Sequence, residues 1–279
     1  MPAKYLLCQK SGGKVTIEDC KVCDDRCLSL PTLTDIASYR EFRGWISTTQ
    51  ALKGTREAYL EIVSDYTVDP FDRAFALLGT RHHSKLEAVA KKLEMVSEEY
   101  LKGEISSGII DLLEPTPIED VFDLWDYKTW GSFAICKSLG LEQVKEKNQP
   151  TTFVANPVKA DMEDVELQLN NYRLMLENVG FGIRYMYVQA TVRDGGTYIA
   201  TNRGVDKKLY KIPVKRLVDD YVKEYFKNKS TALLTALETK TIPPPCNNKE
   251  NWNFRKCKEY CNVAEFCDVG RHQKGLDKR

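Results

Sequence analysis

Acidic and basic side chains in the middle of this chain recur at spacings that suit metal-dependent chemistry. Asp111 is followed by Asp126, and Lys128 comes two residues after Asp126. Two carboxylates can hold a divalent cation, which polarises a phosphate group and activates a water molecule. A lysine close to the same phosphate would stabilise the charge that develops there. The set therefore predicts phosphodiester hydrolysis with Mg²⁺ or Mn²⁺.

Two predicted strands must position these residues, at 105–113 and 120–129, joined by a proline-rich turn. Since side chains alternate along a strand, Asp126 and Lys128 share one face. Four acid-x-lysine triplets occur in the chain, and about four are expected by chance. Only the triplet at Asp126 lies in a strand pattern with an acid on the strand before it. The alternative is a surface ion pair in a sheet.

Two predicted helices bring further polar groups to this region. A helix over residues 69–101 carries His83, and a helix over residues 161–179 carries Gln168 and Tyr172 one turn apart on one face. Taken alone, a helical histidine is more often structural, and a Gln/Tyr pair is more often solvated. The combination with the strand acids favours a site.

Together these residues resemble the RecB-type exonuclease branch of the PD-(D/E)XK nuclease superfamily, including its CRISPR-associated and AddB-like members. That branch carries Gly-x-x-x-His, Gly-x-x-Asp, Asp/Glu-x-Lys and Gln-x-x-x-Tyr in this order. The matching residues here are Gly79 to His83, Gly108 to Asp111, Asp126 to Lys128, and Gln168 to Tyr172. Each motif is common, whereas the ordered combination, over about residues 47 to 195, is specific.

The resemblance implies a role for each matching residue. The Mg²⁺ or Mn²⁺ ligands would be His83, Asp111 and Asp126, with the carbonyl of Tyr127 as a further ligand. The catalytic residues would be Lys128, Asp111, Asp126 and Gln168, and the DNA contacts would be Gln168 and Tyr172. His82 falls outside the motif and is expected to pack or face solvent. Glu87, one turn after His83, is expected to form a salt bridge or to support the site.

Nine cysteines form two groups and one isolated residue. The N-terminal group is Cys8, Cys20, Cys23 and Cys27, and the C-terminal group is Cys246, Cys257, Cys261 and Cys267. Disulfides are rare in a reducing compartment, so both groups point to metal. The N-terminal spacing is typical of a zinc site in a segment with little core of its own. Unligated structural thiols are the alternative for both groups.

The last three cysteines resemble the triplet that holds an iron–sulfur cluster in many RecB-type nucleases. Their first gap has three residues, where those proteins usually have two. The fourth ligand in those proteins usually lies in a helix before the core, but residues 53–60 contain no cysteine here. Cys246 is the nearest replacement, with an N-terminal cysteine as its rival. The spacing leaves [4Fe–4S] and Zn²⁺ equally open for the C-terminal group.

The element order predicts an α/β protein with a mixed sheet packed between helices, and the resemblance implies a restriction-endonuclease-like core. The expected divisions are a cysteine-rich module at 1–30, a nuclease core at 31–240 and a cysteine segment at 241–279. With 42% hydrophobic and 29% charged residues, and no apolar run near about 18 residues, a cytoplasmic protein without membrane contact is expected.

DNA is the expected partner, in recombination, repair or CRISPR-type processing. No P-loop pattern is present, so unwinding would require a helicase or recombination partner protein. A net charge of +1 leaves DNA binding to local basic patches. The best patch is Lys207, Lys208, Lys211, Lys215, Arg216, Lys223, Lys227 and Lys229, although a solvated helix face explains it too. Two alternatives stay open: an inactive DNA-binding or assembly protein on this fold, and a zinc-ribbon interaction module with the α/β core as scaffold.

Overall fold

The computed structural model describes residues 5–37, 42, 44–144 and 152–278. They form two compact units. Unit 1 comprises Met1–Leu78, Glu104–Ser107 and Glu224–Arg279. Unit 2 comprises Gly79–Gly103 and Gly108–Lys223. No helix in the described ranges is both long and apolar enough to cross a membrane.

Strands and helices alternate along most of the chain. The strands are β1 (Tyr5–Leu7), β2 (Lys14–Thr16), β3 (Thr67–Val68), β4 (Val96–Lys102), β5 (Ser107–Pro115), β6 (Val121–Trp130), β7 (Leu141–Val144), β8 (Thr152–Ala155), β9 (Gly182–Val192) and β10 (Leu209–Pro213). The helices are α1 (Ile17–Val22), α2 (Leu30–Ala37), α3 (Thr48–Ala51), α4 (Thr55–Val63), α5 (Ala74–Lys92), α6 (Ser132–Leu139), α7 (Glu163–Asn178), α8 (Tyr198–Thr201), α9 (Asp219–Thr239), α10 (Arg255–Glu259) and α11 (Asp268–Gln273), with short 3₁₀ turns at Ala264–Phe266 and Leu276–Lys278.

Unit 2 is built on a five-stranded mixed sheet in the order β10-β9-β6-β5-β4. β5 and β6 pair antiparallel as a hairpin, β6 and β9 pair parallel, and β9 and β10 pair antiparallel. The parallel pair requires a crossover between β6 and β9, and α7 lies in that connection. The predicted mixed α/β sheet flanked by helices is confirmed.

The core of unit 2 lies between α7 and one face of the sheet. Leu124, Val188 and Ala190 on the strands pack in one buried cluster with Leu169 and Leu176 of α7. Side chains of β6 alternate between the two faces of the sheet. Leu124 points toward α7, whereas Trp125 and Tyr127 point to the opposite face and pack in a smaller cluster with Ala90 of α5. The alternation predicted for this strand is therefore confirmed.

A fully buried arginine ties α7 to the segment that follows β10. Arg173 donates to Glu177 (2.7 Å), Asp219 (2.6 Å) and Asn170 (3.2 Å), and Asn170 in turn accepts from the backbone N–H of Leu217 (3.0 Å). A buried charge is tolerated only with such partners. This network fixes the helix that carries Gln168 and Tyr172.

Unit 1 contains the short sheet β2-β1-β3. β1 pairs with β2 antiparallel and with β3 parallel, so the N-terminal cysteine segment shares a sheet with residues 67–68. In α3, Ser47 and Gln50 form a capping box. α3 and α4 are separate helices, with Gly54 as the N-cap of α4.

The predicted helix over residues 69–101 is also wrong, because α5 ends at Lys92 and residues 96–102 form β4. The apolar spacing was misleading, since Val89 and Leu93 are exposed. Glu94 adopts a left-handed φ of 57°, a conformation outside a right-handed helix.

Candidate active site and cysteine clusters

Asp111 lies where the β5–β6 ladder opens. The paired residues of the two strands begin with Leu112 opposite Trp125 and continue to Pro115 opposite Phe122, next to the turn. Beyond it, Asp111 Oδ2 accepts a hydrogen bond from the backbone N–H of Tyr127 at 2.5 Å. The side chain thus takes the position that a strand carbonyl would occupy, and its other oxygen is left for a second partner.

His83 comes from α5 and meets this opening. Its Nε2 lies 2.8 Å from the carbonyl oxygen of Tyr127, and its Nδ1 lies 3.4 Å from Asp111 Oδ1. The Asp111 carboxylate, through a hydrogen bond, raises the pKa of His83 to about 9, against the opposing effect of burial. Both ring nitrogens therefore face acceptors, and a cation at Nδ1 would have to displace a proton.

Glu98 completes the set, and sequence reasoning missed it. Glu98 Oε1 lies 3.5 Å from His83 Nδ1, and one ligand atom each from His83, Glu98 and Asp111 lie within 4.8 Å of one another. Burial, followed by the Asp111 charge, raises the pKa of Glu98. Glu98 has a left-handed φ of 52° inside β4. The available signal was the β-like pattern of residues 96–102, which was assigned to a helix.

Asp126 and Lys128 lie on the α7 face of β6 and form a second group. Lys128 Nζ donates to Asp126 Oδ1 at 2.9 Å and lies 2.7 Å from Oδ2. Asp126 is buried, and burial raises the pKa of its carboxyl, while Lys128 opposes that shift. Oδ2 accepts no well-angled hydrogen bond from any described residue. Both oxygens of Asp126 therefore face the Lys128 ammonium, and a further partner at Oδ2 would have to share that oxygen with it.

Gln168 and Tyr172 come together with Asp126, as their spacing predicts. Gln168 Nε2 lies 3.4 Å from Asp126 Oδ1 and 3.3 Å from the Tyr172 hydroxyl. Glycine is required at position 108, the first residue of the Gly-x-x-Asp motif, because a Cβ there would lie 2.2 Å from the Tyr172 ring. At Gly79 a Cβ would approach Thr129 Oγ1 only to 3.4 Å, so that glycine is less constrained.

The residues adjacent to the motifs have ordinary roles. His82 Nε2 lies 3.4 Å from Thr191 Oγ1 on the sheet, and burial lowers the pKa of its imidazole. Glu87 forms an ion pair with Lys91 at 2.6 Å, one turn along α5. The donors gathered around the β5–β6 opening are carboxylates, one imidazole and one carbonyl, which suit Mg²⁺ or Mn²⁺.

The four C-terminal cysteines line one cavity in unit 1. Cys246, Cys257, Cys261 and Cys267 surround about 30 Å³ of space, together with Arg56 and Glu57 of α4. Burial raises the pKa of Cys261 to about 12. Cys246 is placed against the start of α4, since a Cβ on Gly54 would lie 2.4 Å from its Sγ. The helix that lacks a cysteine thus presents a glycine, and Cys246 fills the adjacent space.

The spacing of these thiols bears on which metal they suit. A tetrahedral zinc with Zn–S bonds of about 2.3 Å places its sulfurs about 3.8 Å apart. No three of the thiols within the described ranges bring their sulfurs within 4.8 Å of one another. In a [4Fe–4S] cluster each thiolate binds a different iron and the ligands surround a larger body.

The N-terminal cysteines are more exposed. Cys8 lies in the turn between β1 and β2, Cys20 is in α1, and Cys23 is the C-cap of α1. Burial, followed by the charges of Cys27, Cys23 and Cys8, raises the pKa of Cys20. Cys136 is separate, on α6, and donates weakly to the carbonyl of Leu141 at 3.6 Å.

The predicted basic patch does not lie on one helix. Lys211 is on β10, Arg216 is in the following segment and pairs with Glu177 at 2.8 Å, and Lys229 on α9 pairs with Glu250 at 2.6 Å. The explanation as one solvated helix face is therefore wrong for the residues before α9.

Comparisons with known proteins return structures but no sequence family. No family model and no curated protein matches the chain. The crystal structure of SSO0001 is 15% identical with a TM-score of 0.46, and covers 86% of this chain and 93% of its own. A structure described as a putative exonuclease from Eubacterium rectale is 13% identical with a TM-score of 0.32. It covers 73% of this chain and 60% of its own. At these TM-scores neither neighbour carries an argument about function.

Proposed function

We propose that this chain is a divalent-metal-dependent deoxyribonuclease of the PD-(D/E)XK type, acting as an exonuclease on single-stranded DNA or DNA ends. The observation that carries the proposal is the convergence of His83, Glu98 and Asp111 within 4.8 Å, next to the Asp126–Lys128 pair. Hard oxygen and nitrogen donors with a lysine at hand are what phosphodiester hydrolysis needs.

Each residue has a distinct task in this proposal. His83 keeps its Nε2 proton on the Tyr127 carbonyl, which leaves Nδ1 to bind a cation together with Asp111 and Glu98. Oδ2 of Asp126 would be a further ligand, shared with the Lys128 ammonium. The Tyr127 carbonyl faces His83 Nε2, on the side of the ring away from Nδ1, so it would bind the cation only in place of that hydrogen bond. Bound Mg²⁺ or Mn²⁺ would polarise the phosphate and lower the pKa of a water.

Lys128 supplies the positive charge that faces the reacting phosphate. Its Nζ is partly exposed and is held by Asp126, so the ammonium is oriented before substrate arrives. Gln168 bonds to both Asp126 and Tyr172, which orients the carboxylate. Tyr172 is buried, so its part is to hold Gln168, and the DNA contact predicted for it would fall to Gln168. Donors held in place before the reaction need no reorganisation during it.

The cysteine groups are proposed as structural metal sites. The C-terminal four thiolates would hold a [4Fe–4S] cluster, supported by their wide spacing around a shared cavity. The N-terminal four would hold Zn²⁺, supported by their spacing in a short segment with little core of its own. Recombination, repair and CRISPR-type processing, with a helicase or recombination partner, are the settings that fit such a nuclease.

The test is cleavage of end-labelled single- and double-stranded DNA with Mg²⁺, Mn²⁺ or EDTA. Lys128→Ala should lower kcat by about 10²–10³-fold. Lys137→Ala is the matched control, because Lys137 is half-exposed and pairs with Asp161. Metal-dependent products lost only with Lys128→Ala would support the nuclease. No cleavage by the wild type, or equal cleavage by both variants, would overturn it in favour of a DNA-binding protein on this fold.

A further inference from the structure

The face of the unit 2 sheet opposite α7 carries an aromatic and basic surface that the proposed active site does not use. Trp125 of β6 and Tyr187 of β9 are direct cross-strand partners, with ring centroids 4.7 Å apart. Tyr185, two residues earlier on β9, has its ring 6.1 Å from that of Tyr187. Since residues two apart share a face, the three rings form one row.

A lysine from the next strand lies over this row. Lys211 of β10 has its Nζ 3.8 Å from the ring centroid of Tyr187 and 4.6 Å from that of Trp125. Lys211 is exposed, and its ammonium forms no ion pair with any carboxylate of the described residues. Its charge is therefore held by aromatic faces and is available to an anion from solution.

A second cation borders the row at its other end. Arg184 lies 5.1 Å over the Tyr185 ring and makes two hydrogen bonds to Asp123, at 3.0 and 2.7 Å. The carboxylate of Asp123 is thereby neutralised. Glu114, the cross-strand partner of Asp123 on the same face, is a second carboxylate. The charge left to contact a phosphate is therefore that of Lys211 at the opposite end of the row.

The rings differ in how firmly they are held. Trp125 packs against the cluster of Leu112, Tyr127 and Ala90, and its buried indole N–H has no acceptor among the described residues. Tyr185 is 56% exposed. A row anchored at one end and exposed at the other offers flat apolar faces to solvent, which is costly unless a ligand with its own flat faces uses them.

We propose that this row, Trp125, Tyr187 and Tyr185 with Lys211 and Arg184, is a binding platform for single-stranded DNA, on which unpaired bases stack while Lys211 contacts a phosphate. Aromatic rings beside cations are the general means of holding single strands without sequence preference. Trp125 directly precedes Asp126 on β6, but the two side chains point to opposite faces of the sheet, so the platform is a surface separate from the Asp126–Lys128 pair. The choice of DNA rests on the proposed function.

The experiment is binding of a fluorescein-labelled oligo(dT) 20-mer, followed by anisotropy in EDTA so that no cleavage occurs. Tyr187→Ala and Tyr185→Ala should each weaken binding by about 5–150-fold. Lys211→Ala should reduce the slope of log affinity against log salt by about 0.7. Tyr198→Ala is the control, because Tyr198 is 81% exposed and lies on α8 of the same unit. It should bind as the wild type does.

Because Tyr185 is exposed, Tyr185→Ala should fold as the wild type does. It therefore tests the platform even if Tyr187→Ala is unstable. Equal binding by wild type and Tyr185→Ala, or no binding of the oligonucleotide by the wild type, would overturn the platform. Retention of binding by Lys128→Ala separates the two proposals. If the protein binds the oligonucleotide through these rings but does not cleave DNA, the platform is supported and the nuclease proposal is overturned.

Discussion

The two candidate metal regions of this molecule are organised in different ways. In unit 2 the carboxylate site is held together by its own hydrogen bonds, such as Tyr127 N–H to Asp111 and Lys128 to Asp126. In unit 1 the C-terminal cysteines surround a cavity. The hydrogen bonds beside this cavity are formed by other side chains, for example Lys256 to Glu57 at 2.6 Å. The first site is formed by side-chain contacts, while the second is a space that a metal group would fill.

This difference indicates what each metal would do. A site already oriented by the fold can bind a catalytic ion reversibly, with water or substrate completing its coordination. Four thiols around a cavity are linked to one another only when a metal binds them all, so metal binding contributes to the free energy of folding. The predictions below separate a catalytic ion in unit 2 from a structural one in unit 1.

The largest expected effect is at the cysteine cavity. Cys261→Ser should abolish the bound metal of the C-terminal group and destabilise unit 1, because structural metal sites contribute folding free energy of about 10 kcal/mol or more. Iron content, absorbance near the iron–sulfur band and thermal unfolding measure this. Cys136→Ser is the control, since Cys136 lies in unit 2, outside both cysteine groups, and donates to the Leu141 carbonyl. Wild-type protein containing neither iron nor zinc would contradict the structural-metal account.

At the carboxylate site, Glu98→Gln should weaken Mn²⁺ binding by about 10–100-fold, comparable to the loss of a residue that supports a metal ligand. Glu99→Gln is the matched control, because Glu99 is the exposed neighbour on the same strand. Calorimetric titration with Mn²⁺ measures both variants. Equal affinity for the two would show that Glu98 is only a surface acid near His83.

Gly108→Ala should destabilise unit 2 by about 1–3 kcal/mol, because the added methyl group would force the Tyr172 ring to move. Gly79→Ala, in the interior of α5 with room for a methyl group, should be neutral or stabilising by about 0.5–1 kcal/mol. Urea denaturation gives both values. A Gly108 variant as stable and active as the Gly79 variant would remove the packing explanation for the motif glycine.

The smallest effect on cleavage is expected at the N-terminal cysteines. Cys20→Ser should release the zinc of that group and leave the rate of DNA cleavage within about twofold of wild type, since removing a structural ion leaves the catalytic donors intact. Zinc analysis and the cleavage assay are run on the same sample. A large fall in cleavage with unit 2 still folded would assign this group a direct part in activity.

Much of the sheet was predictable because its patterns are local. The two strands of the β5–β6 hairpin and α7 were predicted to within two residues of their observed bounds. β4 was missed because apolar residues of α5 that face solvent mimic a longer helix. Glu98 was lost with β4, since its part in the site depends on the strand that carries it.

Other features depend on pairings between distant residues. The contact of Trp125 with Tyr187 follows from the parallel register of β6 and β9, which a crossover connection sets and no short motif encodes. The position of Cys246 beside Gly54 likewise joins residues far apart in the chain. The roles of these residues could be suspected from type and spacing, whereas their geometry required the fold.

The most direct test of the central claim is an anomalous difference map from a crystal soaked in Mn²⁺, with data collected on both sides of the manganese edge. The account predicts one manganese peak within bonding distance of Asp111, His83 Nδ1 and Glu98, and none among the cysteines. Manganese absent from Asp111, or found only at exposed surface carboxylates, would contradict a catalytic metal site in unit 2.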